Sequence, residues 1–174
     1  MEFSIQPNLE NEKYQIIPLK QGDFELLYEV ASDPEVWEQH PNKDRYKRTV
    51  FQKFFDAAME SNGAFKIVEK ATGLILGSSR FYDYNESDNS IFIGYTFYGI
   101  HSWGKGINPQ IKKLMLDYIF QYVDKVNFYI GKDNLRSQIA IEKIGAKKVE
   151  EKKVDYEGEP SRINFLYEIR KENY

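Results

Sequence analysis

Between the strand-type run 90–98 and the apolar run 126–130 stands one strongly amphipathic helix, and this order constrains the chain more than any other feature. Ile111, Leu114, Met115, Tyr118, Ile119 and Tyr122 follow the helical repeat on one face. A helix between two strands carries the chain back over a sheet, so the two runs are expected to be parallel neighbours. Upstream, 64–69 and 74–82 flank the turn Ala71-Thr72-Gly73 and lead into 90–98, which reads as an antiparallel meander. The run 14–19 precedes them. The runs 147–155 and 162–170 follow, around the turn-like Tyr156-Glu157-Gly158-Glu159-Pro160. Asp23 is suited to cap a helix through Val30, and Asp33-Pro34 to open another. Glu38 to Arg48 is polar and reads as a loop, and Thr49 caps a helix that Asn62-Gly63 ends. Asn108-Pro109 is expected to open the main helix, and 134–144 to form a short helix ended by Gly145. The expected fold is a single α/β (α+β) domain over 1–174. It has a mixed, mostly antiparallel sheet of about seven strands flanked by helices.

Composition removes several function classes. Cysteine is absent, which excludes thiolate nucleophiles, disulfides and cysteine-based metal sites, and no metal is expected. The net charge of -3, without a long basic run, argues against nucleic acid as a partner. The first residues lack a signal-peptide pattern, and no apolar run is long enough to span a membrane, so a cytoplasmic protein is expected. Thirteen Tyr and 12 Phe make the chain rich in aromatics, and their strand and helix spacing makes core packing the default.

The segment with chemical content is Gly104-Lys105-Gly106, set between a strand and a helix. Two glycines allow a tight turn that aims backbone N–H groups at one point, and the helix adds its positive end. A bound phosphate and a plain strand-to-helix turn both fit this spacing. Two nucleotide motifs fail here. Gly99 to Lys105 has the P-loop form, but Gly106 stands where Ser or Thr should hold magnesium. The dinucleotide pattern from Gly104 meets Pro109 at its third glycine.

In wider context the chain resembles the GNAT superfamily of N-acetyltransferases, and its RimJ/RimL-like branch in particular. Ile93-Gly94-Tyr95 is similar to that branch's fourth strand, and Trp103-Gly104-Lys105-Gly106-Ile107 to its pyrophosphate loop. Asn134-x-x-Ser137 followed by Glu142-Lys143-Ile144-Gly145-Ala146 is similar to its second cofactor motif. The loop departs from the usual pattern at Trp103 and at Asn108, where Gly or Ala is common. Asn108 is suited to serve as N-cap and Pro109 as first helical residue.

The resemblance implies acetyl-CoA as donor, a primary amine as acceptor (a protein N-terminus or a small molecule), and direct attack. It implies splayed fourth and fifth strands, with the pantetheine arm on the backbone of Phe97 and Tyr98. The loop from Trp103 to Asn108, with Asn134, Ser137 and Lys143, would hold the cofactor. Ser137 would protonate the leaving thiolate; a small polar residue in a first helical turn explains it equally plainly. Asn134 serves as a helix cap on either reading. The base is open between His40 and Asp83, each also readable as an ordinary loop residue. Trp37 and Tyr46 flank the acceptor-side loop as possible pocket walls. A non-catalytic acyl-CoA-binding domain on the same fold, and an interaction domain with no ligand, are the competing readings. A monomer or a homodimer fits equally.

Overall fold

The computed structural model describes residues 2–155 and 159–174; most of the expected turn at Tyr156-Glu157-Gly158 lies outside them. Eight strands form one sheet: β1 (Leu9–Glu10), β2 (Tyr14–Pro18), β3 (Ala64–Glu69), β4 (Ile75–Asn85), β5 (Ser90–Tyr98), β6 (Lys125–Gly131), β7 (Lys147–Val154) and β8 (Arg162–Arg170). Their order is β1-β2-β3-β4-β5-β6-β8-β7. The strand beyond the expected seven is β1, a two-residue edge against β2. Every pairing is antiparallel except β5 with β6, the parallel pair that the intervening helix demands.

Four α-helices flank the sheet: α1 (Phe24–Ala31), α2 (Arg48–Glu60), α3 (Ile107–Ile119) and α4 (Leu135–Lys143). Apolar side chains fill two cores, one on each face. One joins Ile91, Ile93, Ile111, Met115 and Ile141 under α3 and α4. The other joins Leu27, Val36, Phe51, Phe55 and Phe97 under α1 and α2. The aromatic excess is largely spent there, with Phe51, Phe54 and Phe97 in mutual ring contact.

Strand β5 changes face partway along. Ile93 and Phe97 are an even number of residues apart, yet they belong to opposite cores. Regular pleating would put both on one side. The register against β4 slips between Phe97↔Ser78 and Gly94↔Arg80, which leaves one extra residue on β5. Tyr95 takes a positive φ of 53° there. This is a β-bulge, and left-handed backbone at a bulky aromatic is a costly conformation that structures keep for a reason.

Local expectations hold in part: Asp23 stands at the N-cap of α1 without a side-chain cap bond, and Thr49 lies inside α2, whose N-cap is Lys47. Asp33 caps a short 3-10 turn, Pro34–Trp37, through Glu35 N, instead of opening a full helix. The segment expected as plain loop holds another such turn, Lys43–Tyr46. Helix α3 begins at Ile107 with Gly106 as its N-cap residue at φ 72°, so Asn108 is not the cap and Pro109 is the third helical residue. The left-handed glycine turns the chain one residue earlier, and the Asn108 side chain is then used elsewhere. Trp37 is fully buried in the α1–α2 core with its indole donating to Ala31 O, and Tyr46 packs on the same core; neither lines the two cavities described below.

Strands β4 and β5 pack closely enough to test. A methyl at Gly77 would lie 2.0 Å from Phe97 O, a backbone clash that no rotamer relieves. Gly77→Ala is expected to destabilise by about 2 kcal/mol or more. Gly22→Ala, where nothing lies within 4 Å, should stay within about 1 kcal/mol of wild type. Urea unfolding of the two variants checks this, and equal effects would contradict the packing described.

Candidate functional site

The parallel pairing of β5 and β6 covers only Ser90↔Lys125, Ile91↔Val126 and Phe92↔Asn127. Past Phe92 the strands part, and a cavity of about 720 Å³ opens between them. Its walls come from β5, β6, the loop before α3, the start of α4 and the segment after Val36. Tyr98 and Phe97 both line it. Tyr98 O accepts from the Trp103 indole at 3.1 Å, and Phe97 O faces Gly77 across β4. Beyond Phe92 the β5 edge has no register partner on β6, which leaves it to pair with a bound chain.

Glycines at positions 104 and 106 both have positive φ, 73° and 72°. Only glycine enters this region without steric cost, so the pair bends the loop back onto the first turn of α3. Trp103, Gly104, Gly106, Ile107 and Asn108 line the cavity mouth; Lys105 is exposed and is not part of the wall. The Trp103 ring carries the Arg136 guanidinium at 3.6 Å, which ties the loop to α4. At the start of α4, Asn134 is buried and caps the helix through Ser137 N at 3.2 Å. Its amide N–H₂ donates to no described residue. Ser137 lines the cavity from the first turn of α4 and Lys143 from its last residue.

Charge sets the wall's character. Arg45, Lys112, Arg136 and Lys143 line the cavity, and among the described residues no Asp or Glu does. Lys112 was not singled out by sequence patterning, although it falls in the buried stripe of α3 with Ile107, Ile111, Met115 and Leu116. Its Nζ donates to Thr96 Oγ1 at 2.9 Å and to Asn108 Oδ1 at 3.3 Å. Asn108 Oδ1 also accepts from Tyr98 OH at 2.9 Å. The side chain expected to cap the helix thus joins α3 to β5. Burial without a carboxylate partner pushes Lys112 down to about 7.

His40 lines the same cavity, packed edge-on against Trp37 at 4.9 Å. Burial, then the Arg45 and Arg136 charges, push it down to about 3. It therefore stays neutral through the physiological range instead of titrating within it, which weakens it as a base. Asp83 does not reach this cavity. Strand β4 runs on to Asn85, so Asp83 sits inside it at a second register slip, with φ 51°. It lines a smaller neighbouring pocket of about 190 Å³ that shares Arg45, Tyr82 and Tyr95 with the large one.

That second pocket holds the most unusual polar burial. Arg45 and Glu159 form a two-bonded ion pair, 2.8 and 2.9 Å, with side chains only 4% and 6% exposed. It joins the segment before α2 to the β7–β8 connection, and Arg162 Nε donating to Pro41 O at 2.7 Å adds a second tie. Arg80 is 5% exposed and stacks on the Tyr95 ring at 3.9 Å, and its Nε has no acceptor among the described residues. Cation–π contact contributes about 0.5–2 kcal/mol. Burying an unpaired charge costs several kcal/mol, so stacking alone leaves Arg80 undercompensated. Burial pushes it down to about 10.

With this geometry in view, the comparisons with known proteins are decisive on family. The model of the acetyltransferase (GNAT) domain matches residues 14–147. The chain belongs to that family. Solved structures share the fold. A GCN5-related N-acetyltransferase from Brucella melitensis is 16% identical, with TM-score 0.83 over 97% of this chain and 80% of that one. A spermidine N-acetyltransferase from Vibrio cholerae, solved with CoA and spermine, is 13% identical, with TM-score 0.71 over 94% and 98%. A ribosomal-protein-S5-alanine acetyltransferase from Vibrio fischeri is 16% identical, with TM-score 0.71 over 97% and 98%. In this GNAT domain the parted strands, the glycine loop and the capped α4 all meet at one cavity. Among the described residues no helix is long and apolar enough to cross a membrane.

The Lys112 environment makes a signed prediction. Between about pH 7 and the ordinary lysine value, the unfolded chain holds a proton at Lys112 that the folded chain does not, so this group makes stability rise with pH across that window. Lys112→Met should flatten the slope by about 1 kcal/mol per pH unit, with its relative gain greatest below pH 7. Chemical denaturation at pH 6 to 10 measures it; an unchanged slope would mean that the amine is solvated.

Proposed function

We propose that this GNAT domain transfers an acetyl group from acetyl-CoA to a primary amine, as a cytoplasmic enzyme of the RimJ/RimL-like branch. The observation that carries the proposal is convergence. The opened β5 edge, the twin left-handed glycines before α3 and a wall with four basic side chains and no acid among its described residues all belong to one cavity. A polyanionic cofactor with an amide-bearing arm needs those three features. Trp103 to Asn108 would hold the pyrophosphate, with Lys105 acting from the exposed side. The β5 edge at 93–96, extending to Phe97 and Tyr98, would take the arm. Asn134 would offer its free amide N–H₂, and Lys143 a charge at the rim.

Acetyl-CoA would supply an activated thioester, and transfer forms an N–C bond as the C–S bond breaks, so one proton must leave the amine and one must reach the sulfur. Ser137 is assigned the second proton. It lies one turn into α4 beside Asn134, and its hydroxyl is not tied to any described residue. Among the described residues no carboxylate faces the cavity, which suits an amine that arrives neutral and a rate set largely by positioning. His40, held neutral, is better placed to accept a hydrogen bond from the amine than to carry its proton away. Named relatives of similar fold act on a polyamine in one case and a ribosomal protein in another. Both acceptor classes are therefore open to this fold.

Calorimetric titration with acetyl-CoA, followed by thiol release with amines and peptides, tests the proposal. Micromolar binding with amine-dependent thiol release is expected. Binding without release would indicate an acyl-CoA-binding domain, and no binding would refute the cavity's assignment. Ser137→Ala should lower kcat by roughly tenfold or more with little change in acetyl-CoA affinity; unaltered turnover would remove Ser137 from the chemistry.

A further inference from the structure

The small pocket beside the cofactor cavity is built around a buried positive charge. Arg45 and Glu159 line it as a closed ion pair, so their charges cancel. Asp83 stands at its exposed rim. Arg80 is the remaining buried charge. No described carboxylate or carbonyl accepts from it, its Nε is orphaned, and its guanidinium lies flat on Tyr95. Tyr95 is the bulge residue whose positive φ was noted on β5, and with Tyr82 it forms the wall common to both spaces. Native structures pair buried charges, so an orphaned guanidinium facing a cavity marks the place of an absent anion. Asp83 acts on Arg80 from the rim without a hydrogen bond to it, so the guanidinium in this space of about 190 Å³ matches a singly charged planar group better than a phosphate dianion.

We propose that Arg80 binds a carboxylate carried by the acceptor, so that the substrates are primary amines bearing a carboxylate and not polyamines. This rests on the acetyl-transfer reading of the adjoining cavity. A carboxylate on Arg80 places the acceptor against Tyr82 and Tyr95, with its amine directed past these rings into the larger cavity that both also line. The bulge then has two roles: it parts β5 from β6 and sets the ring on which the anchoring guanidinium lies. The carboxylate comes either from a free amino acid or from an acidic side chain near a peptide N-terminus. In either case a site built to pair that group rejects the analogue lacking it.

The test begins with calorimetric titration of acetyl-CoA into the full chain. Thiol release is then compared for L-amino acids and their α-amides, for short peptides with Asp or Glu and the same peptides with Asn or Gln, and for spermidine. The expected result is kcat/KM at least roughly tenfold higher for the acid member of one of the two matched series. A preference in the first series identifies free amino acids, and one in the second identifies acidic N-termini. Arg80→Gln should abolish the preference through KM, and Arg80→Lys should keep part of it. Both variants should bind acetyl-CoA within about twofold of wild type, which confirms that they fold. Equal rates for acid and amide, a preference for spermidine, or an acid preference that survives in Arg80→Gln would overturn the proposal. So would acetyl-CoA binding with no release from any carboxylate-bearing amine. Absence of acetyl-CoA binding would instead sink the transfer reading itself, and this proposal with it.

Discussion

The structure turns on the parting of two parallel strands. Strands β5 and β6 share three register pairs, and beyond them the sheet's backbone polar groups lose their partners. Unpaired backbone in a partly buried cleft is unfavourable unless something pairs with it. The cause is local. The extra residue at Tyr95 bends β5, moves Phe97 to the face opposite Ile93, and lets each helical layer keep its own aromatic or aliphatic core. The consequence is functional, because the same bend opens the cavity and delivers the first turn of α3 to its mouth.

Around that opening stand the charged side chains that are buried among the described residues. Lys112 is buried with hydroxyl and amide partners only, Arg80 with an aromatic ring, and Arg45 with a carboxylate from the far end of the chain. Each arrangement costs stability relative to an apolar side chain of similar volume. They cluster on the walls of two adjoining spaces, where a bound anion would restore part of that cost. A cavity lined this way attracts phosphates and carboxylates and disfavours polycations.

Much of this was legible in the residues themselves. The order of strands and helices follows from apolar spacing, and the parallel pair follows from placing a long helix between two strands. Gly104 and Gly106 announce a tight turn, which the structure builds from left-handed backbone, and Asn134 announces a cap that the structure contains. The parts that were hidden depend on contacts distant in sequence. An evenly spaced Ile93, Tyr95 and Phe97 looks like one face of a strand, and only the slip against β4 reverses it. Lys112 reads as a solvated helix position until Thr96 and Asn108 are seen around it. Arg45 sits in a polar stretch that looks like surface loop, and it is buried because Glu159 meets it from the β7–β8 connection. Trp37 was placed near a pocket by its neighbours in sequence, yet its indole finds Ala31 O inside the core.

Because everything else follows from the parted strands, the most direct measurement is amide hydrogen exchange along β5 with and without saturating acetyl-CoA. The account predicts that slowing concentrates at 93–96 and at the loop 104–107, while Ser90, Ile91 and Phe92, already paired with β6, change little. Binding that leaves 93–96 unprotected, or that protects an edge elsewhere in the sheet, would contradict it.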